Sequence, residues 1–236
     1  MNALSEALQG ARRIVFFGGA GVSVPSGIPD FRGENGLYAK EYDGLTAEML
    51  LSHSFFCLHP DIFYDFYKKH MLYPNAKPNI VHVRLAEMER TGRVTAVVTQ
   101  NIDGLHQMAG SKNVLELHGS VHRNYCRKCG KLYDAQYIKN SAGVPMCSCG
   151  GQIKPDVVLY EEGLDSSTMQ AAIHAISQAE VLIIGGTSLA VYPAAGLIDY
   201  YRGNKLVLIN KSATPLDSRA DLVIQAPIGE VFSAVC

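Results

Sequence analysis

The stretch FFGGAGVSVPSGIPDFRGENG, Phe16 to Gly36, begins as a strand that hands a phosphate to a glycine turn. It does not continue as the G-x-G-x-x-G turn into helix that carries a dinucleotide in hydride-transfer enzymes, and no acidic residue stands cleanly about 20 positions later. Pro25 and Pro29 each remove a backbone donor and hold the chain extended around them, so no helix is expected to start there. The loop must instead cover something. It carries Phe31, a flat apolar surface, and Arg32, a fixed cation suited to a pyrophosphate or a carboxylate.

Working outward, RIVFF (13–17), VTAVVT (94–99), VLIIG (181–185) and KLVLIN (205–210) read as strands buried on both faces, with DVVLY (156–160) and DLVIQ (221–225) as weaker candidates. Helical patterns fall between them at 79–92 and 166–180, the latter with Met169, Ala172, Ile173 and Ile176 on one face. Leu4, Ala7, Leu8 and Ala11 share a face of a first helix. This alternation predicts an α/β fold: a Rossmann-like, doubly wound parallel sheet. Residues 34–77, rich in aromatics, and 121–152, rich in cysteine, break the rhythm and are expected to form a smaller helical and zinc-binding lobe inserted in the nucleotide-binding domain of 1–33, 78–120 and 153–236.

The 236 residues are 47% apolar and 18% charged, enough for a sizeable core, and a net charge of −1 creates no field favouring nucleic acid or an anionic membrane. The first residues, with Glu6 and no long apolar block, do not read as a secretory signal, and no apolar run approaches a membrane span, so a cytoplasmic protein is expected. Cys126, Cys129, Cys147 and Cys149 have C-x2-C-x17-C-x-C spacing. Four thiolates on two tight turns make a closed structural zinc site, favoured here over disulfides or free thiols. The neighbouring Arg123, Arg127, Lys128 and Lys131 read as a solvated face rather than a nucleic-acid surface.

Ligands of open parallel sheets sit beyond the carboxyl ends of the strands. The loops leaving those ends are GGAGVSVPSGIPDFR, QNIDGLH (100–106), GGTSLAVYP (185–193) and NKSATP (210–215). Their glycines let N–H groups approach phosphate, Thr187 and Ser188 add hydroxyls, and Asn210 is placed for a ribose or an adenine edge. A glycine turn taken alone is as readily a tight turn as a phosphate site. His118, following the apolar run Val114–Leu117, is either a structural histidine or a general base at a strand end.

GAGVSVPSGIPDFR (19–32), TQNIDGLH (99–106), HG (118–119), the four cysteines, PDVVLYEE (155–162) and GTSLAVYP (186–193), in that order, closely resemble the bacterial-type sirtuins, NAD-dependent protein lysine deacylases. The resemblance runs from about residue 10 to the C-terminus. It implies that the glycine loop folds over NAD while the bond to nicotinamide breaks and an acetyl-lysine oxygen attacks the ribose carbon, giving free lysine, nicotinamide and O-acetyl-ADP-ribose. His118 and Asn101 are the implied catalytic residues, with His118 taking a proton from a ribose hydroxyl. The implied NAD contacts are Gly19, Ala20, Gly21, Val24, Phe31, Arg32, Gln100, Asn101, Ile102, Asp103, His118, Gly186, Thr187, Ser188, Asn210, Lys211 and Val231. An extended acetyl-lysine peptide is expected to run past Val157, Val158, Tyr160, Glu161 and Ala190. A monomer with one structural Zn2+ is expected.

Two departures stand out. Sirtuins commonly carry Phe-Gly-Glu where this chain has Tyr160, Glu161 and Glu162, and the added carboxylate suggests a mild preference for basic residues beside the acyl-lysine. Sirtuins that remove acidic acyl groups carry Tyr-x-x-Arg, whereas YKKH here pairs Tyr67 with His70, which favours acetyl or another uncharged group. Rival readings are an NAD-linked dehydrogenase, a mono-ADP-ribosyltransferase and a non-catalytic NAD-binding or zinc-ribbon module.

Overall fold

The computed structural model describes residues 3–31, 33, 36–39, 42 and 44–235. In chain order its helices are α1 (Ala3–Ala7), α2 (Ala47–Leu50), α3 (His53–Leu58), α4 (Pro60–His70), α5 (Ile80–Arg90), α6 (Leu105–Met108), α7 (Ala135–Asn140), α8 (Ser166–Gln178) and α9 (Ile228–Ser233). Its strands are β1 (Ile14–Gly18), β2 (Val94–Thr99), β3 (Val114–Glu116), β4 (Gly119–Cys126), β5 (Leu132–Tyr133), β6 (Ile153–Val157), β7 (Val181–Gly185), β8 (Lys205–Asn210) and β9 (Leu222–Gln225).

Strand periodicity explains the large sheet. Every residue of β1 and β7 is buried, because successive side chains point to opposite faces and both faces are covered. Ile14 and Phe16 join the core under α1, α5 and α9, with Leu8, Leu85 and Phe232. Val15 and Phe17 join the core on the other face, with Ala172 and Ile176 of α8 and Leu197 of the 3-10 segment Ala194–Tyr200. The sheet is parallel throughout, in the order β3-β2-β1-β7-β8-β9. Strand order reverses between β1 and β7, the place where such sheets open a crevice.

A second, antiparallel sheet has the order β5-β4-β6. It packs with α2–α4 around Phe56, Phe63, Tyr64 and Tyr67, and the Tyr64 hydroxyl donates to the Ile153 carbonyl. Residues 153–157 therefore pair in the small sheet, not the large one, which corrects the reading of 156–160 as a candidate strand of the parallel sheet. The expected boundaries at 120 and 153 also fall inside this small sheet. The reason is pairing: β6 finds a partner only in β4, whose residues alternate too weakly in polarity to declare themselves as a strand.

Beneath the loops of the large sheet two histidines lie buried together, His82 of α5 and His106 of α6, with ring centroids 4.7 Å apart. His82 Nδ1 accepts the Asn79 N–H at the start of α5, so its proton sits on Nε2. Burial holds His82 down to about 4 against the pull of the Asp103 charge, and burial plus His82 hold His106 down to about 3. Unfolded histidine titrates near pH 6.5, so the unfolded chain binds the extra protons first. The stability that the neutral pair contributes is present above about pH 6.5 and is lost as pH falls toward 4. The urea midpoint is expected to drop across that window, and His106→Leu to flatten the slope; an unchanged slope in the variant would assign the acid sensitivity elsewhere.

Candidate active site

Two glycine loops meet backbone to backbone at the point where strand order reverses. Gly21 N–H donates to the Gly186 carbonyl at 2.8 Å, Gly19 N–H to Gly185 at 3.2 Å, and Gly186 N–H to Ile209 at 3.1 Å. Gly186 has φ +60°, and a Cβ there would lie 2.5 Å from Val22 N; one on Gly21 would lie 2.8 Å from Gly186 Cα. Only glycines permit this approach, and it leaves an open cradle at the carboxyl ends of β1 and β7. The loop then makes two single 3-10 turns, Ala20–Val22 and Val24–Ser26. This corrects the expectation that the prolines forbid any helical start: Pro25 sits in a first turn, where a missing N–H costs nothing.

From there the chain crosses the cleft. Phe31 packs against Tyr38 at 5.4 Å between ring centroids, Tyr38 against Tyr160 at 6.4 Å, and the two tyrosine hydroxyls are hydrogen-bonded. Arg32 lies outside the described residues.

The loop after β2 carries the polar floor. Ser23 Oγ donates to Asp103 Oδ2 at 2.6 Å and accepts from Asn101 Nδ2 at 3.0 Å. Asp103 Oδ1 accepts the Leu105 N–H at 2.9 Å, Asn101 N–H reaches Thr99 Oγ1 at 3.0 Å, and Gln100 Nε2 reaches Thr187 Oγ1 at 3.2 Å. Ser23 was not singled out from sequence. Its one signal is a hydroxyl placed directly after a glycine turn, which becomes meaningful only once the fold brings Asp103 and Asn101 to it. Asn79 is a second such residue: its Nδ2 donates to Val22 O and Ser26 Oγ, both at 2.8 Å, and so ties the loop to α5.

His118 lies between β3 and β4. Its Nδ1 is 2.9 Å from the Gln100 carbonyl. A carbonyl only accepts, so Nδ1 carries the proton and Nε2 is the basic nitrogen. Burial lowers its pKa below the usual histidine value, with the Gln100 bond opposing part of that shift. Gly119, at φ +73°, follows because a Cβ would stand 1.9 Å from Asp156 O.

All of this opens into one cavity of about 1200 Å3. Gly19, Ala20, Gly21, Val24, Phe31, Gln100, Asn101, Ile102, Asp103 and His118 line it, as do Gly186, Thr187, Ser188, Asn210 and Lys211. Val157, Val158, Tyr160 and Glu161 line its small-lobe side. Val231 and Ala190 are not among its lining residues. Val231 is buried in the core under α9, because it faces the sheet while Pro227 and Ile228 at the start of that helix face the cavity. Ala190 is exposed next to Leu189, whose φ of +56° turns the chain there.

The rim beside Tyr160 is tied down. Glu162 accepts from Leu159 N–H at 2.9 Å and Lys154 Nζ at 3.0 Å and meets His53 Nδ1 at 2.7 Å; burial raises its pKa, but these partners outweigh that and hold it low. Tyr67 stacks on Phe63 in the core, and His70 lies against Tyr42 and Phe66 at the cavity edge.

The sulfurs of Cys126, Cys129, Cys147 and Cys149 lie within 4.8 Å of one another, with the 126–149 and 129–147 pairs at 3.5 and 3.6 Å. Tetrahedral zinc with bonds of about 2.3 Å spaces its sulfurs by about 3.8 Å, so the donor set fits a closed Zn2+ site. Stripping zinc with a strong chelator is expected to lower the melting temperature and expose the β4–β6 sheet to protease, with zinc restoring both; unchanged melting would remove the staple role.

Among known proteins, residues 19–193 match the sequence profile of the Sir2 family. The chain is 60% identical over 238 residues to a Clostridium perfringens protein named NAD-dependent protein deacetylase, covering 100% of this chain and 98% of that one. It is 46% identical to a Staphylococcus aureus protein of the same name, covering 100% and 97%. Its fold is similar to a Sir2 structure with p53 peptide and NAD+ (TM-score 0.87, 41% identity, 99% and 95% covered). It is also similar to one with deacetylated p53 peptide and 3'-O-acetyl ADP ribose (TM-score 0.90, 42% identity, 98% and 94% covered).

Proposed function

We propose that this chain, which belongs to the Sir2 family, is an NAD-dependent protein lysine deacetylase that moves the acetyl group of acetyl-lysine onto ADP-ribose and releases nicotinamide. The observation that carries the reading is His118, a half-buried imidazole whose proton is fixed on Nδ1 by the Gln100 carbonyl, in the same cavity as the glycine cradle. When bound, NAD supplies a ribose carbon made electrophilic by loss of nicotinamide. The N–H of Ala20 and the hydroxyls of Thr187 and Ser188 would hold its phosphates, with Gly21 lining the same cradle, and Asn210 would hold the adenosine. Ile102 and Asp103 take the carboxamide, and Gln100 and Asn101 the ribose and a water. Ser23 fixes Asp103 and Asn101 relative to each other.

His118 Nε2 takes a proton from a ribose hydroxyl. The Val158 carbonyl accepts the acyl-lysine N–H, with the peptide extended past Tyr160 and Glu161. Phe31, Tyr38 and Tyr160 form an aromatic screen that excludes water from the reacting atoms. The nucleotide side is the parallel sheet with its helices, and the peptide is gripped between that side and the lobe made of residues 34–77 and the β5-β4-β6 sheet. No described helix is long and apolar enough to cross a membrane. A cytoplasmic location is supported by a four-thiolate cluster that needs a reducing compartment. A partner other than nucleic acid is supported by Arg123, which is committed to Glu116 and Asp156 at 2.7 Å each. The reading takes the protein as a monomer.

Incubation with an acetyl-lysine peptide and NAD is expected to release nicotinamide and deacetylated peptide in equal amounts, with no absorbance gained at 340 nm. Nicotinamide without deacetylation would instead indicate transfer or hydrolysis. His118→Ala is expected to lower kcat/KM by about 10²–10⁴-fold, and the wild-type acid limb to lie below pH 6.5, because burial keeps the imidazole neutral there. Full activity in the variant would end the assignment. Succinyl-lysine peptide is expected to turn over far more slowly than acetyl-lysine at pH 8, since His70, packed against Tyr42 and Phe66, stands where a carboxylate clamp would need the permanent charge of an arginine; comparable rates would contradict the acetyl preference.

A further inference from the structure

Beside the large cavity lies a second hollow of about 480 Å3, and the two share a wall formed by Tyr160 and Glu161. Met49, Phe55 and Leu58, from α2 and α3, line the far side of the hollow. Met49 is 50% exposed and Leu58 73% exposed. Isolated apolar residues on a surface need no explanation, but these three are gathered around a concavity.

The wall itself is built at a conformational cost. Glu161 has φ +75°, a region that glycine enters freely and a residue with a Cβ does not. Its carboxylate is fixed there by the Ser54 N–H at 2.9 Å and the Ser54 hydroxyl at 2.6 Å, which also hold its pKa low. The negative charge is thus held in place on the boundary between the two hollows rather than swinging in solvent. Glu48 adds a second carboxylate to the lining. An apolar floor flanked by two carboxylates matches a bulky apolar side chain next to a cation.

We propose that this hollow is a substrate-docking subsite: a segment of the acetylated protein a few residues from the reacting lysine seats an aliphatic side chain on Met49, Phe55 and Leu58 and sets a neighbouring Lys or Arg against Glu161 and Glu48. The proposal rests on the deacetylase reading and extends it to the class of protein substrate. The two hollows lie on either side of the Tyr160–Glu161 segment, so a chain held in the first and advancing about 3.3 Å per residue reaches the second by crossing that wall. A hollow of about 480 Å3 is on the scale of side chains, so it can seat residues of an extended segment.

The test uses the whole enzyme with NAD and three kinds of peptide. One is a capped acetyl-lysine tripeptide, one an eleven-residue Gly/Ser peptide with a central acetyl-lysine, and the last the same peptide with a Leu-Arg pair stepped through each position. One register is expected to lower KM about tenfold with kcat nearly unchanged, the size expected from burying most of one aliphatic side chain. Leu58→Asp and Met49→Asp are expected to erase that gain, so that long and short peptides are used alike. Leu132→Asp, an equally exposed change on the small sheet, is expected to keep it. No favoured register, or a gain that survives Leu58→Asp, overturns the subsite. A wild-type dimer in sedimentation that Leu58→Asp dissociates overturns it in favour of a second copy. Failure to turn over any peptide, the tripeptide included, strikes the deacetylase reading itself.

Discussion

The contact between Gly21 and Gly186 is the constraint from which the site follows. Each glycine occupies the space where the other's Cβ would be, and the N–H of one is spent on the carbonyl of the other. Two loops leaving parallel strands would otherwise stand apart by the width of their side chains. Drawn together, they leave a cradle on the side facing away from the contact, with Thr187 and Ser188 on one wall and Ala20 on the other. The same closeness sends the first loop outward, so its continuation crosses the cleft instead of running back along the sheet as a helix.

What crosses the cleft is joined to what lies beneath it by short polar links. Ser23 bridges Asn101 and Asp103, and Asn79 ties the loop to α5. His118 takes its tautomer from the Gln100 main chain, not from a carboxylate. That choice keeps the imidazole neutral: an acidic partner would favour the charged form, while a carbonyl fixes the proton and leaves burial to depress the pKa. That arrangement leaves Nε2 as the basic nitrogen.

The small lobe solves a different problem. Its sheet has few apolar residues of its own, so it is held by the aromatic cluster on α4 and by four converging sulfurs. Its link to the cleft is Glu162, which gathers Leu159, Lys154 and His53 and so fixes the segment carrying Tyr160 and Glu161.

Much of this was legible in the residues. Strands at 94–99, 181–185 and 205–210 declare themselves because side chains buried on both faces leave no polar alternation, and the four cysteines declare a metal because their spacing leaves little else to do. The small sheet was not legible, since residues 153–157 become a strand only when β4 lies beside them. Ser23, Asn79 and the His82–His106 pair were silent for the same reason: a hydroxyl, an amide or an imidazole gains its role from partners many residues away. Val231 shows the converse: the resemblance implies an adenine contact there, and the fold turns its side chain into the core. Local chemistry, written in one segment at a time, settled the large sheet, the thiolate site and the nature of the loop; distances between segments, which pairing and burial alone set, decided which atoms meet in the cleft.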